Sequence, residues 1–126
     1  MESKEYFKFE NLHVYQKAMN FVDAVYQCTA SFPKEELIGL TGQFRRASVS
    51  ICLNIAEGSG RTKKEFRRFL DMSRGSVFEC VAFMEISKRR NYIKENESIL
   101  LKTCLSELSK MITGLKRSVT NDIREE

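Results

Sequence analysis

Proline occurs once, as Pro33, and glycine only six times in 126 residues. So few breakers leave little room for the frequent turns of an all-β chain and favour a small number of long helices. No apolar run approaches the roughly 18 residues that a membrane span requires. The opening Met1-Glu2-Ser3-Lys4-Glu5 does not read as a signal peptide, so a cytoplasmic location is expected. Histidine is represented by His13 alone, with no Cys, Asp or Glu at ligand spacing, which points to a surface residue. H-E-x-x-H, G-x-S-x-G and the Glu-x-x-His pattern of di-iron bundles are all missing. The cysteines Cys28, Cys52, Cys80 and Cys104 are widely spread with no C-x-x-C pair, which speaks against a metal or redox cluster. Beside apolar neighbours they read as buried small hydrophobes. Glu57, Asp71, Glu79 and Glu85 are scattered, and solvated or ion-paired roles suffice for them. No catalytic residue, metal or cofactor is therefore expected, and the function is expected to be binding.

What is present describes one helical domain over residues 1–126, long enough to bury a single core. Apolar residues recur every three or four positions in four segments, roughly 11–31, 40–58, 62–91 and 95–122. In the first, Asn11 is the expected N-cap and Tyr15, Ala18, Val22, Val25 and Tyr26 the expected inward row, ended by Phe32-Pro33. The second carries Leu40, Phe44, Ala47, Ile51 and Ile55 inward, with Val49, Leu53 and Ala56 on a second apolar face that suits a subunit contact. Thr62-Lys63-Lys64-Glu65 is a capping box for the third, which turns Phe66, Phe69, Leu70, Val77, Val81 and Met84 inward. Gly75 lies inside it, where close approach of a neighbouring helix would offset its cost of about 1 kcal/mol. The fourth has the row Leu101, Leu105, Leu108, Ile112, Leu115 and Val119. Short links make neighbouring helices antiparallel, so the expected fold is all-α, an up-down-up-down four-helix bundle.

The charge is uneven. From Gln43 to Arg74 there are eight bases (Arg45, Arg46, Arg61, Lys63, Lys64, Arg67, Arg68 and Arg74) against three acids, a net +5. The remaining chain has 13 bases and 14 acids, a net −1. Lys63, Arg67 and Arg74 share one side of the third helix, with Lys64, Arg68 and Asp71 in the next row, and Lys88-Arg89-Arg90 with Lys94 mark its far end. Such a stripe suits a phosphate backbone; it equally suits a solvated helix face. The turn Gly58-Ser59-Gly60-Arg61-Thr62-Lys63 has two readings as well, a tight capped corner or an anion site at a helix N-terminus.

Gln43-Phe44-Arg45-Arg46-Ala47, then Ser50-Ile51, Asn54-Ile55-Ala56-Glu57-Gly58 and Arg61, resembles the signature of a bacterial four-helix bundle family. Its members are encoded within intervening sequences of 23S ribosomal RNA genes and are sometimes labelled ribosomal proteins. It is related to the accessory protein of diversity-generating retroelements, which partners a reverse transcriptase. Leu12 to Ala18, Phe32-Pro33, Gly39-Leu40, Glu65-Phe66, Phe69-Leu70 and Gly75-Ser76 extend the likeness over nearly the full chain. Cys52 departs from it, standing where the family usually has proline. The resemblance implies an antiparallel bundle assembling into a ring-like homo-oligomer, typically a pentamer, with no enzymatic activity. It also implies nucleic-acid binding for the retroelement protein. It suggests a structural seam in which Glu57 pairs with Arg45 or Arg61, Asn54 bridges backbone groups and Gly58 makes the turn.

Two functions follow as expectations. The first is binding of structured RNA or an RNA–DNA hybrid by the eight bases named above, through phosphates, because Phe66 and Phe69 point inward and leave little for base stacking. The second is a protein-interaction scaffold or polymerase accessory subunit, with Val49, Leu53, Phe78 and Phe83 as its contacts.

Overall fold

The computed structural model describes residues 6–125; Met1–Glu5, considered above for a signal peptide, lie outside the described residues. Four long helices, α1 (His13–Thr29), α2 (Gly42–Ser59), α3 (Lys63–Arg89) and α4 (Glu95–Glu125), carry the fold, with no strand among the described residues. Contacts across each neighbouring pair run in opposite chain directions. Ile51 and Phe44 of α2 meet Ser73 and Phe83 of α3. Asp71 and Glu85 of α3 meet Lys116 and Lys102 of α4. Thr29 meets Arg45 between α1 and α2, and Lys17 meets Glu107 between α1 and α4. The bundle is therefore up-down-up-down, as the short links require.

α1 begins two residues later than the pattern suggests, because Lys8–Asn11 form a separate tight turn and Leu12, not Asn11, precedes the helix. Phe9 packs edge-on against Tyr15, with ring centroids 4.9 Å apart, which seats that turn on the helix it precedes. The buried row is Val14, Ala18, Phe21, Val25 and Thr29. Tyr26 is 44 % exposed, whereas Phe21 is 1 % exposed and sits at the centre. Two overlapping apolar rows exist on this helix, and packing on α2 and α4 selects the one that buries Phe21.

After Pro33 the chain makes one tight turn, Lys34–Glu36, and one wide turn, Leu37–Thr41, before α2. A Cβ on Gly42 would lie 2.6 Å from the Leu37 carbonyl oxygen, so the wide turn depends on glycine there. Phe44, Ala47, Ile51 and Ile55 are buried as the spacing predicts; Leu40 precedes the helix and is half-buried. Cys52, which stands where the family usually has proline, is buried, and α2 runs unbroken through it.

At the next corner Gly58 is buried against α3, where an added Cβ would fall 2.5 Å from the Phe69 Cβ and 2.9 Å from Phe66 Cδ1. α3 ends with Asn91 in the left-handed region (φ 62°). The Tyr92 N–H reaches the Ser87 carbonyl and the Asn91 N–H the Lys88 carbonyl, the double closure of a Schellman motif. Tyr92 then ties the two connections at this end together, its ring 5.2 Å from Phe32 and its hydroxyl donating to Glu36 at 3.0 Å. Gly75 does not mark a close approach: nothing lies within 4 Å of where its Cβ would be, and it faces solvent. The polar contacts between α2 and α3 lie beside it instead, with Ser73 donating to the Ile51 carbonyl (2.9 Å) and Ser50 bonded to Ser76 (2.9 Å).

Candidate nucleic-acid interface

The α2–α3 corner is built by short-range bonds. The Gly60 and Arg61 N–H groups turn back onto Glu57 and Gly58, and Thr62 caps α3 by accepting from the Glu65 N–H at 3.2 Å. The Glu65 carboxylate accepts from the Thr62 hydroxyl at 3.0 Å, so the capping box closes side chain to side chain. Arg61 is spanned by Glu57 at 3.0 Å and Glu65 at 3.7 Å and lies over the Phe69 ring. With those amides used and two carboxylates flanking Arg61, the corner has the geometry of a capped turn.

The accessible cations lie just beyond. Lys64, Arg67 and Arg68 line an open, shallow cleft of about 320 Å³ with Asp71. Asp71 is occupied by Lys116 of α4, at 2.8 and 3.0 Å. Lys64, Arg67 and Arg68 have no ion-pair partner among the described residues, although Arg68 approaches the Phe69 ring. Lys63 is exposed on the first turn, and Arg74 leans over the Phe78 ring at 5.2 Å. From Lys63 to Arg74 this face extends about 16 Å along the helix.

Arg45 and Arg46 do not join it. They sit at the start of α2, about 24 Å along the axis from Arg61, at the end of the bundle that also holds Lys88, Arg89, Arg90 and Lys94. Arg45 donates through Nε to Thr29 Oγ1 at 2.8 Å and lies over the Tyr26 ring; Arg46 donates to Gln43 at 3.1 Å. The continuous basic segment of the sequence is thus divided between the two ends of the molecule. The polar seam is divided with it. Glu57 pairs with Arg61 and not with Arg45, and Asn54 donates to the Ser50 carbonyl (2.9 Å) and hydroxyl (3.1 Å), joining the Ser50–Ser76 bridge.

The apolar candidates separate likewise. Val49, Leu53 and Ala56 line a groove of about 290 Å³ between α1 and α2 with Tyr15, Met19, Val22 and Cys52. Leu53 there is 60 % exposed. Phe78 lies in a different groove, between α3 and α4, and Phe83 is half-buried against Phe44, 6.1 Å between ring centroids. All four cysteines are free thiols. Burial pushes Cys28 and Cys52 up to about 11 and Cys80 to about 12, so they are neutral near pH 7. Among the described residues no three His, Cys, Asp or Glu side chains gather as a metal site, and His13 is exposed.

The family model described as "23S rRNA-intervening sequence protein" matches residues 10–114, from the turn before α1 to nearly two-thirds of the way along α4. The chain belongs to this family. Among solved structures, a protein of unknown function from the S23 ribosomal protein family of Bacteroides thetaiotaomicron VPI-5482 superposes with a TM-score of 0.75. That likeness, at 19 % identity, covers 82 % of this chain and 95 % of that one, and shows a shared fold. No curated protein matches the sequence. The family matched here is the one that the α2 motif resembles, and Gly58 and Asn54 within that motif are explained by packing and by the α2–α3 bridge. No helix among the described residues is long and apolar enough to cross a membrane.

Proposed function

We propose that this 23S rRNA-intervening sequence protein is a non-catalytic nucleic-acid-binding protein that grips the phosphate backbone of structured RNA, or of an RNA–DNA hybrid, with the first turns of α3. The observation that carries this reading is the cleft where Lys64, Arg67 and Arg68 converge while its one acid, Asp71, is neutralised by Lys116. Three cations of one sign thus converge there with no carboxylate left to answer them, a concentration of positive field that suits an outside anionic partner. The cleft is open and shallow, which suits an extended phosphate backbone and not an enclosed small molecule. Lys63 and Arg74 extend the face, and Arg61, held by Glu57 and Glu65, serves the corner. The test is anisotropy of labelled structured RNA with the Lys64→Glu/Arg67→Glu/Arg68→Glu protein. Binding lost by more than tenfold with unchanged helical content supports the assignment, and undiminished binding overturns it.

The groove between α1 and α2 favours a second role alongside the first. Its lining is almost wholly apolar, and Leu53 and Met19 are left substantially exposed. Self-association through this face, as in a ring of identical subunits, would cover it and repeat the basic cleft around the assembly, raising its field. Leu53→Glu is expected to lower the mass measured by light scattering; an unchanged mass assigns the groove to another protein partner, the scaffold role.

A further inference from the structure

The opposite end of the bundle holds a smaller and more enclosed feature. Where α1 passes into α2, a pocket of about 130 Å³ is walled by Phe32 and Pro33 and reached by Thr29, Lys34, Thr41 and Arg45. The Thr41 hydroxyl is buried and has no hydrogen-bond partner, and the residue as a whole is 3 % exposed. Leaving such a donor unpaired ordinarily costs about 1–3 kcal/mol, so it calls for an acceptor. Arg45 stands at the same pocket in a fixed pose, held at its Nε by Thr29 and across its face by Tyr26. The Thr29 proton is already given to the Val25 carbonyl, at 2.7 Å. Arg45 is engaged through Nε alone, so its two terminal amino groups remain as donors without a partner among the described residues, and the exposed Lys34 lines the same pocket. No acidic side chain lines the pocket. Its volume is below the roughly 300 Å³ at which drug-sized ligands begin to fit, so it admits a single small group.

We propose that this pocket binds a phosphate group, with the Arg45 fork on two oxygens, the Thr41 hydroxyl on a third and Lys34 balancing the second negative charge. A tetrahedral dianion satisfies all of these donors at once, whereas bidentate pairing alone would leave Thr41 unmet. The group belongs either to free inorganic phosphate or to the phosphorylated end of a nucleic-acid strand.

Thermal unfolding of the intact protein, in inorganic phosphate against chloride at equal ionic strength, tests this. Phosphate is expected to raise Tm in a saturable way that chloride does not reproduce. In Thr41→Val the apparent Kd for phosphate should weaken about three- to tenfold, the worth of one hydrogen bond. Its Tm without phosphate should be equal or higher, because an unpaired hydroxyl has been removed. Arg45→Lys keeps the charge but not the fork, and should lose the saturable response. A wild-type Tm that phosphate and chloride move alike overturns the proposal, as does a Thr41→Val protein that responds like wild type. Strands with 5′-phosphate and 5′-hydroxyl ends then separate the sources. A preference for the phosphorylated end that Thr41→Val erases assigns the strand end, and equal binding with the Tm response kept assigns the free ion. The charge-reversed α3 protein should keep its phosphate response even where RNA binding is gone, so the two assignments fail independently.

Discussion

In the sequence Gly58 reads as the start of a turn and Gly75 as a helix-interior glycine that a close neighbour would explain; in the structure it is Gly58 that has the close neighbour. Gly58 touches Phe69 and Phe66 so closely that a methyl group cannot enter without parting α2 from α3. Gly58→Ala is therefore expected to lose about 1–3 kcal/mol, the range for overpacking, seen as a lower urea midpoint at constant slope. Gly75 meets nothing, so Gly75→Ala should gain about 1 kcal/mol from helix propensity alone. A loss of stability at Gly75 would mean that an unseen surface packs there. The cysteines give a pH prediction. Their thiols are raised by burial from about 9 to about 11 for Cys28 and Cys52 and about 12 for Cys80. The folded state thus holds protons that the unfolded chain releases first. The stability this contributes is fully present below pH 9 and is lost as pH rises through 11 to 12. Thiolate absorbance should accordingly appear together with the loss of helical circular dichroism; thiolate forming in a fully helical protein would count against burial as the cause.

At the scale of elements, legibility followed how many signals agreed. Thr62 and Glu65 stood at capping-box spacing just before an apolar row, and α3 begins there in the structure. Thr62→Ala should cost about 1 kcal/mol, readable in a urea titration; an unaltered midpoint would show that Phe66 and Phe69 anchor the corner unaided. The inward row of α2 was equally clear, since one apolar set keeps a strict rhythm. α1 was harder, because Tyr15-Val22-Tyr26 and Val14-Phe21-Val25 share the same period and differ by one position. Only the partner helices decide between such rows, and periodicity contains no term for them. The wide turn before α2 has no sequence signature beyond Gly39 and Gly42. The serines of the α2–α3 contact were also missed, since a polar residue in an apolar row reads as surface until its acceptor is known. The candidate site shows the same limit. Lys64, Arg67 and Arg68 were legible as one patch because a single helix carries them. The cancellation of Asp71 comes from Lys116, 45 positions away, and the hold on Arg45 comes from Thr29 and Tyr26.

For the whole molecule, folding the chain back on itself turned one basic segment into two basic ends. The ends differ in how their cations are arranged: Lys64, Arg67 and Arg68 converge on one cleft, whereas at the far end Arg45 is held by Thr29 and Tyr26, Lys88 is paired with Glu95, and Arg46, Arg89 and Arg90 are divided between α2 and the end of α3. Cations that converge on one spot can engage the same stretch of phosphate backbone together, so a nucleic acid held in the cleft makes the two ends contribute unequally to the salt dependence of binding. Neutralising Lys64, Arg67 and Arg68 to alanine is expected to flatten the plot of log K against log salt by about one unit per residue. Neutralising Arg46, Arg89 and Arg90, an equal change in net charge at the other end, should leave that slope nearly intact and lower affinity only through the general field. If both variants flatten the slope equally, the nucleic acid runs the length of the bundle, about 40 Å of α3, and the cleft is one station on it. If only the far-end variant does so, the cleft is a solvated face and the interface lies where α1 meets α2.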